Sequence, residues 1–244
     1  MTEVLFVGTG DAFGSGGRRN SAILLRDAGH TLLLDCGPTT LGGLKEMGID
    51  PLEIDAIALS HFHGDHIAGV PFLLLDYVYA NQRDRPLEIL GPPGVEERLA
   101  ALTRAYHYDR EHPARYPLRY AEFSLDKPID VPGFRVTPMP AVHQEYTCPH
   151  MLRVDSERRS LVFSGDTGWH ESLPEKVGDA DLFICECVFF DEEFAFHLSH
   201  RRLLRERARF RCGSIRLTHL GNQVLENEGR LAFDTAHDGL ELSL

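Results

Sequence analysis

A chain of 244 residues, 43% hydrophobic and 25% charged, is long enough to bury a substantial core and too apolar for extended disorder. Its formal net charge of −12 repels polyanions at long range, so a nucleic-acid partner is disfavoured and a small substrate is expected. No apolar run approaches the roughly 18 residues of a membrane-spanning helix, and Met1-Thr2-Glu3 lacks a secretory leader's basic region, so no membrane, a cytoplasmic location and one domain over 1–244 are expected.

Short β-branched and leucine-rich runs at 4–7, 22–26 and 31–35 read as strands, bounded by Gly and Asp. A helix over 40–47 stops at Gly48, and a further strand covers 56–60. After a helical segment come a strand at 87–90 and a helix over 94–106, with Val95, Leu99 and Leu102 on one face. The stretch 106–117 is irregular: His107, Tyr108, Arg110, His112, Arg115 and Tyr116 sit among two prolines, as in a loop that lines a site or merely crosses the surface. Strands follow at 134–142, 151–154, 160–164, 182–185 and 214–218, and Ser199 opens a helix bearing Leu203, Leu204 and Ala208. Arg201, Arg202, Arg205, Arg207, Arg209 and Arg211 on that segment, interrupted by Glu206, read as a solvated helix face. Five cysteines without framework spacing read as buried reduced thiols, and Cys185-Glu186-Cys187 is too close for a metal or redox pair.

Strands come first as adjacent hairpin-like pairs and then alternate with helices, which fits a two-sheet core clad by helices. At the end of the fourth strand stands Ser60-His61-Phe62-His63-Gly64-Asp65-His66. In extended backbone residues i and i+2 point the same way, so His61 and His63 can grip one ion. Gly64 then lets the chain turn, and the helix start beyond it aims Asp65 and His66 at a second position, as two-metal hydrolytic sites require.

This His-x-His-x-Asp-His run resembles the signature of the metallo-β-lactamase superfamily. The resemblance implies an α+β fold, a four-layer αββα sandwich of two mixed sheets flanked by helices. It also implies three later ligands, which Val142-His143, Gly165-Asp166 and Thr218-His219 supply in order. His61, His63 and His143 would hold one ion, Asp65, His66 and His219 the other, with Asp166 bridging. Neutral imidazoles suit zinc, and manganese, iron or nickel are compatible with the same donors.

Within the superfamily the chain is most similar to the ribonuclease Z-like branch of nucleases and small phosphodiesterases. Val7-Gly8-Thr9-Gly10-Asp11-Ala12, leading to Arg19-Asn20-Ser21 and Leu34-Asp35-Cys36-Gly37, resembles that branch's N-terminal signature. Glu186 and His197-Leu198-Ser199 resemble its proton-transfer motifs, which implies that Glu186 orients His197 and His197 protonates the leaving alkoxide. Asp65 is both ligand and catalytic residue in this reading. The ending Ala236-His237-Asp238-Gly239 resembles a terminal strand, with His237 near the site or in a structural turn. His150, at the start of a strand beyond His143, is a weaker candidate for a phosphate contact.

The departures narrow the function. One type of tRNA-processing enzyme inserts a clamping arm between the third histidine motif and the bridging aspartate, and the short interval from His143 to Asp166 holds only apparent strands. Leu220-Gly221-Asn222 also replaces the Phe-Ser-x-Arg-Tyr that usually follows the last histidine there. The expectation is a hydrolase that attacks a small or cyclic phosphodiester with hydroxide bridging two ions. The alternatives are a tRNA 3′-end endonuclease, a carboxyl-ester or lactone hydrolase, and a noncatalytic metabolite-binding protein. A homodimer is implied by resemblance alone.

Overall fold

The computed structural model describes residues 1–108 and 116–244. The first sheet contains β1 (Glu3–Gly8), β2 (Ala22–Asp27), β3 (His30–Leu34), β4 (Ala56–Ala58), β5 (Leu87–Gly91), β6 (Leu118–Glu122) and β14 (Glu241–Ser243), in the order β14-β1-β2-β3-β4-β5-β6. The second contains β7 (Ile129–Val131), β8 (Phe134–Pro140), β9 (His150–Asp155), β10 (Ser160–Phe163), β11 (Leu182–Glu186), β12 (Ser214–Thr218) and β13 (Asp234–Thr235), in the order β13-β12-β11-β10-β9-β8-β7.

The two-residue period of each strand sorts its side chains between layers. Val4 and Phe6, Ile23 and Leu25, and Leu32 and Leu34 face the second sheet, where they meet Val136, Leu152, Val154, Phe163 and Ile184. Their alternates Leu5, Val7, Leu24 and Leu33 pack outward under α1 (Thr40–Glu46), α3 (Val70–Tyr79) and α4 (Val95–Ala105). On the far side Val162, Phe183 and Cys185 face α5 (Leu173–Val177), α6 (His200–Glu206) and α7 (Asn222–Glu226). This is the expected αββα sandwich, its central strands buried on both faces.

Three expectations need correction. The strand expected over 134–142 stops at Pro140, which leaves Val142 and His143 in a loop. Ala208 falls in a 3₁₀ turn beyond α6, because the helix closes at Glu206. Residues 236–240 form a turn, and the last strand begins only at Glu241. The arginine segment is a solvated face, paired with Asp191, Glu171, Glu193 and Glu206, with Arg202 and Arg209 also stacked on Trp169. Among the described residues no helix is long and apolar enough to cross a membrane.

Topology collects the chemistry at one edge. β3 runs parallel to β4, and β10, β11 and β12 run parallel to one another, so the loops leaving their carboxyl ends share one rim, where open α/β sheets bind ligands. Backbone bonds tie the two sheets together there, from His150 N to Ser60 O at 3.0 Å and from Phe62 N to Thr147 O at 3.0 Å.

Candidate metal centre

Four of the ligand-type residues stand in loops that leave strands. His61 follows β4, Asp166 follows β10, His219 follows β12, and His143 sits in the loop after β8. Asp65 and His66 lie on the one-turn helix α2 (Gly64–Ile67). Gly64 opens that helix without left-handed backbone, so the turn does not depend on glycine there. The left-handed bends occur instead at Asp35 (φ 56°), Gly165 (φ 52°) and His219 (φ 53°). For non-glycine residues such backbone costs about 1–3 kcal/mol, the kind of strain that concentrates at functional sites.

Two sets of donor atoms converge, and Asp166 belongs to both: His61, His63, His143 and Asp166, and Asp65, His66, Asp166 and His219, each with donors within 4.8 Å of one another. Asp166 Oδ2 lies 3.8 Å from His61 Nε2 and 3.9 Å from His143 Nε2. Its Oδ1 lies 3.3 Å from His66 Nε2 and 3.5 Å from His219 Nε2, and Asp65 Oδ2 lies 3.2 and 3.3 Å from the same two nitrogens.

The ring orientations are fixed from behind. His66 Nδ1 donates to Asp35 Oδ2 at 2.6 Å, His143 Nδ1 donates to the Phe196 carbonyl at 2.9 Å, and His63 Nε2 donates to Gln144 Oε1 at 2.9 Å. His61 Nδ1 donates to Ser60 Oγ at 3.0 Å, and Ser60 Oγ donates in turn to Asp35 Oδ2 at 2.9 Å. Each bond places the ring proton on the outer nitrogen and turns the other lone pair inward. His61 Nε2 and His143 Nε2 then meet His63 Nδ1 at 3.0 and 3.1 Å, lone pair against lone pair. His66 Nε2 and Asp166 Oδ1 are buried without a hydrogen-bond partner. Such a constellation fits divalent cations, which would satisfy the converging lone pairs.

The electrostatics agree. Burial opposes charge on His66 and His219, yet Asp166 and Asp65 outweigh it and hold both imidazoles above their usual range. Burial would likewise raise Asp166, but His219 and His66 hold it well below the usual carboxylate range. Burial pushes His61 well down and His143 down to about 4. The Asp65 and Asp166 carboxylates thus gather negative charge at both donor clusters, which divalent cations would neutralise.

Beside Asp166, Glu186 at the end of β11 is 1% exposed. Its Oε1 accepts from His197 Nδ1 at 2.9 Å and from Thr167 N at 2.8 Å, and its Oε2 accepts from Leu198 N at 3.1 Å. Burial alone would lower the His197 pKa, but the Glu186 charge and hydrogen bond push it up to about 9. The His197 ring stands 5.0 Å from that of His143 and 6.0 Å from that of His219.

Residues 2–237 match the family model described as Anti-Pycsar protein Apyc1. The chain belongs to the Apyc1 family. Like other members of the metallo-β-lactamase superfamily, this Apyc1-family chain is similar to ribonuclease Z of Methanothermobacter thermautotrophicus, 30% identical over 189 residues. That match covers 73% of the chain but only 60% of the relative. The probable metallo-hydrolase YhfI of Bacillus subtilis is 27% identical over 97% of the chain and 94% of the relative. The YhfI crystal structure superposes with a TM-score of 0.82 at 24% identity, covering 100% of both chains. The short form of human tRNase Z superposes with a TM-score of 0.78 at 23% identity, covering 99% of this chain and 98% of the other.

The remaining expectations about this Apyc1-family site divide. His237 is exposed, and it is Asp238 that works, accepting from Thr9 N, Thr9 Oγ1 and Arg19 N to clamp the N-terminal loop. His150 packs its ring 5.3 Å from Phe123 and donates from Nδ1 to the Cys148 carbonyl, outside the donor clusters. Cys36, Cys185 and Cys187 are buried free thiols, whereas Cys148 and Cys212 are half-buried, against the expectation that all were buried. Arg110, His112 and Arg115 lie outside the described residues. Sequence reasoning missed the orienting roles of Asp35, Ser60 and Gln144.

Proposed function

We propose that the chain is a dinuclear metal-dependent phosphodiesterase for small or cyclic phosphodiesters. In this reading His61, His63 and His143 hold one divalent ion, Asp65, His66 and His219 hold the other, and Asp166 is shared. The observation that carries it is the pair of buried Glu186 and half-buried His197 set against the carboxylate common to both donor clusters. Bound cations would lower the pKa of water toward about 7 and neutralise phosphate oxygens. Zinc suits the imidazole-rich donors, and manganese, iron or nickel are compatible with them.

The chain's own groups supply the rest. Glu186 fixes Nδ1 of His197 as a donor, so Nε2 carries the transferable proton. With its pKa near 9, His197 holds that proton at neutral pH and delivers it to the departing alkoxide oxygen. Asp35, Ser60, Gln144 and the Phe196 carbonyl keep the imidazoles from rotating, which preserves ligand geometry between turnovers.

The ribonuclease Z relatives raise a second reading, a tRNA endonuclease. Against it, β9 and β10 fill the interval between His143 and Asp166, and the formal charge of −12 opposes a polyanion. A panel of bis-p-nitrophenyl phosphate, cyclic nucleotides, precursor tRNA, lactones and nitrocefin separates the readings. Hydrolysis of cyclic phosphodiesters is expected, and hydrolysis of lactones alone would overturn the assignment.

A further inference from the structure

Three loops are knit together beside His197. Thr167 Oγ1 accepts from Val142 N at 2.9 Å, and Val142 O accepts from Gly168 N at 2.6 Å, so the loops that carry Asp166 and His143 are laced to each other. The segment 191–197 presses against both: a Cβ at Gly168 would collide with the Ala195 carbonyl, and the Phe196 carbonyl holds the His143 ring. A backbone bridge between Phe194 and His197 closes a turn in this segment. Asp191 and Glu193 tie it to α6 through Arg201, Arg202 and Arg205 at 3.2, 3.7 and 3.3 Å.

The turn sets the Phe194 ring beside that of His197. The two are near parallel, 16° apart with centroids 6.0 Å from one another, which is an offset stack. Phe189 and Phe196 meet the Phe194 ring at 5.6 and 5.9 Å and fix its setting. His219 is also near parallel to His197, whereas Phe189 and His143 are steeply inclined to it, at 67° and 68°. His143 and His219 are members of the donor clusters. Burial does not account for the placement of Phe194, because 46% of it stays exposed.

A hydrogen bond at Nδ1 is not enough to aim an imidazole. Glu186 fixes which nitrogen of His197 it engages, but a torsion between sp³ and sp² carbons is broad, so the ring can tilt about its Cβ–Cγ bond and carry Nε2 aside. Misplacing a reacting group by about 1 Å can cost about 100-fold in rate. A flat neighbour opposes the tilt, because tilting opens the stack.

We propose that Phe194 is a positioning residue that keeps the His197 imidazole in the plane from which Nε2 faces the departing oxygen. It acts through His197, and the inference rests on the phosphodiesterase reading for the identity of that oxygen.

The test uses the full chain loaded with zinc. Phe194→Ala should lower kcat about 10–100-fold on a cyclic phosphodiester, whose leaving alkoxide needs a proton, and leave KM within about two-fold. The loss on bis-p-nitrophenyl phosphate, whose leaving group needs none, should be several-fold smaller, and Phe194→Tyr should restore the rate on the cyclic diester. Carbon-13 relaxation of the His197 ring, labelled at Cδ2, reads the tilt without turnover: the order parameter should fall in Phe194→Ala and recover in Phe194→Tyr. Zinc affinity should hold, since the Phe196 carbonyl still supports His143. Equal losses on both substrates or an unchanged His197 order parameter would each overturn the inference. So would a fall in zinc affinity matching the fall in kcat, because Phe194 would then serve the turn and not the ring. If the unsubstituted chain hydrolyses no phosphodiester while the His197 ring loosens in Phe194→Ala, the catalytic reading fails and the positioning stands.

Discussion

Asp35 Oδ2 accepts a 2.6 Å hydrogen bond from Nδ1 of His66, and both side chains are closed to solvent. The same carboxylate accepts from Ser60 N at 2.7 Å and Ser60 Oγ at 2.9 Å, so it supports imidazoles of both donor clusters. Asp35→Asn would place an amide N–H against these donors and drive the His66 proton to Nε2, where it blocks the inward lone pair. Divalent-metal affinity should fall about 10–100-fold, as for other residues that orient metal-binding histidines. Chelator competition with elemental analysis measures it, and unchanged affinity would remove Asp35 from the centre.

The His197 pKa near 9 gives a signed pH dependence. A group whose pKa is raised in the folded chain keeps its proton, and the associated stability, below its ordinary value of about 6.5 and loses both as pH rises through about 9. The rate of cyclic phosphodiester hydrolysis should therefore fall on an alkaline limb centred near 9. Glu186→Gln removes the charge that raises the pKa, so the limb should move to lower pH. His197→Ala should lower kcat about 10²–10⁴-fold for an alkoxide leaving group. The loss should be far smaller for p-nitrophenolate, which departs without protonation. Equal losses on both substrates would exclude His197 as the acid.

Metal removal should release the constraint on the centre in a measurable way. Without cations, His66 and His219 carry raised pKa values against Asp65 and Asp166, so a divalent ion entering near pH 7 must displace protons. Titration calorimetry in buffers of different ionisation enthalpy should register net proton release. Zinc at about 1,000 times its dissociation constant should add about 4 kcal/mol of stability, seen as a rise in unfolding temperature that chelator reverses. Asp166→Ala, which removes a donor from both sets, should abolish most of that rise. A thermal shift unaffected by Asp166→Ala would place the metal elsewhere.

The strands that could be read from sequence are those that bury both faces. The run Val4-Leu5-Phe6-Val7 feeds two apolar layers at once, and its β-branched and leucine-rich character is local information. β6, with sequence Leu-Arg-Tyr-Ala-Glu, and the three-residue β14 carry no such pattern, because they are edge strands held by their neighbours' backbone. The ligand-type residues were legible because four of them share six positions and each of the others closes an apolar run. The orienting role of Asp35 was not, since the Leu34-Asp35-Cys36-Gly37 motif marks the residue without saying what its carboxylate touches. Only the parallel pairing of β3 with β4 brings it beside Ser60. Gln144 likewise becomes meaningful only once His63 is seen to need a partner on its outer nitrogen.

Asp238 and its neighbour His237 offer a contrast within one turn. Asp238 accepts two hydrogen bonds from Thr9, at 2.9 Å from the amide and 2.7 Å from the hydroxyl, and one from the Arg19 amide at 2.7 Å. Asp238→Ala would leave these part-buried amides without partners, at a cost of roughly 1–3 kcal/mol. For a chain of this length each kcal/mol lowers the unfolding temperature by about 2–4 °C. The clamped loop also pairs at Gly10 with Leu220, the residue after His219. Loosening it should therefore weaken the Asp65, His66 and His219 set more than the His61, His63 and His143 set. His237→Ala, at an exposed side chain, should change stability by less than about 0.5 kcal/mol. Calorimetric unfolding with metal stoichiometry distinguishes the two. Equal effects from the two substitutions would show that the turn, rather than the Asp238 carboxylate, holds the loop.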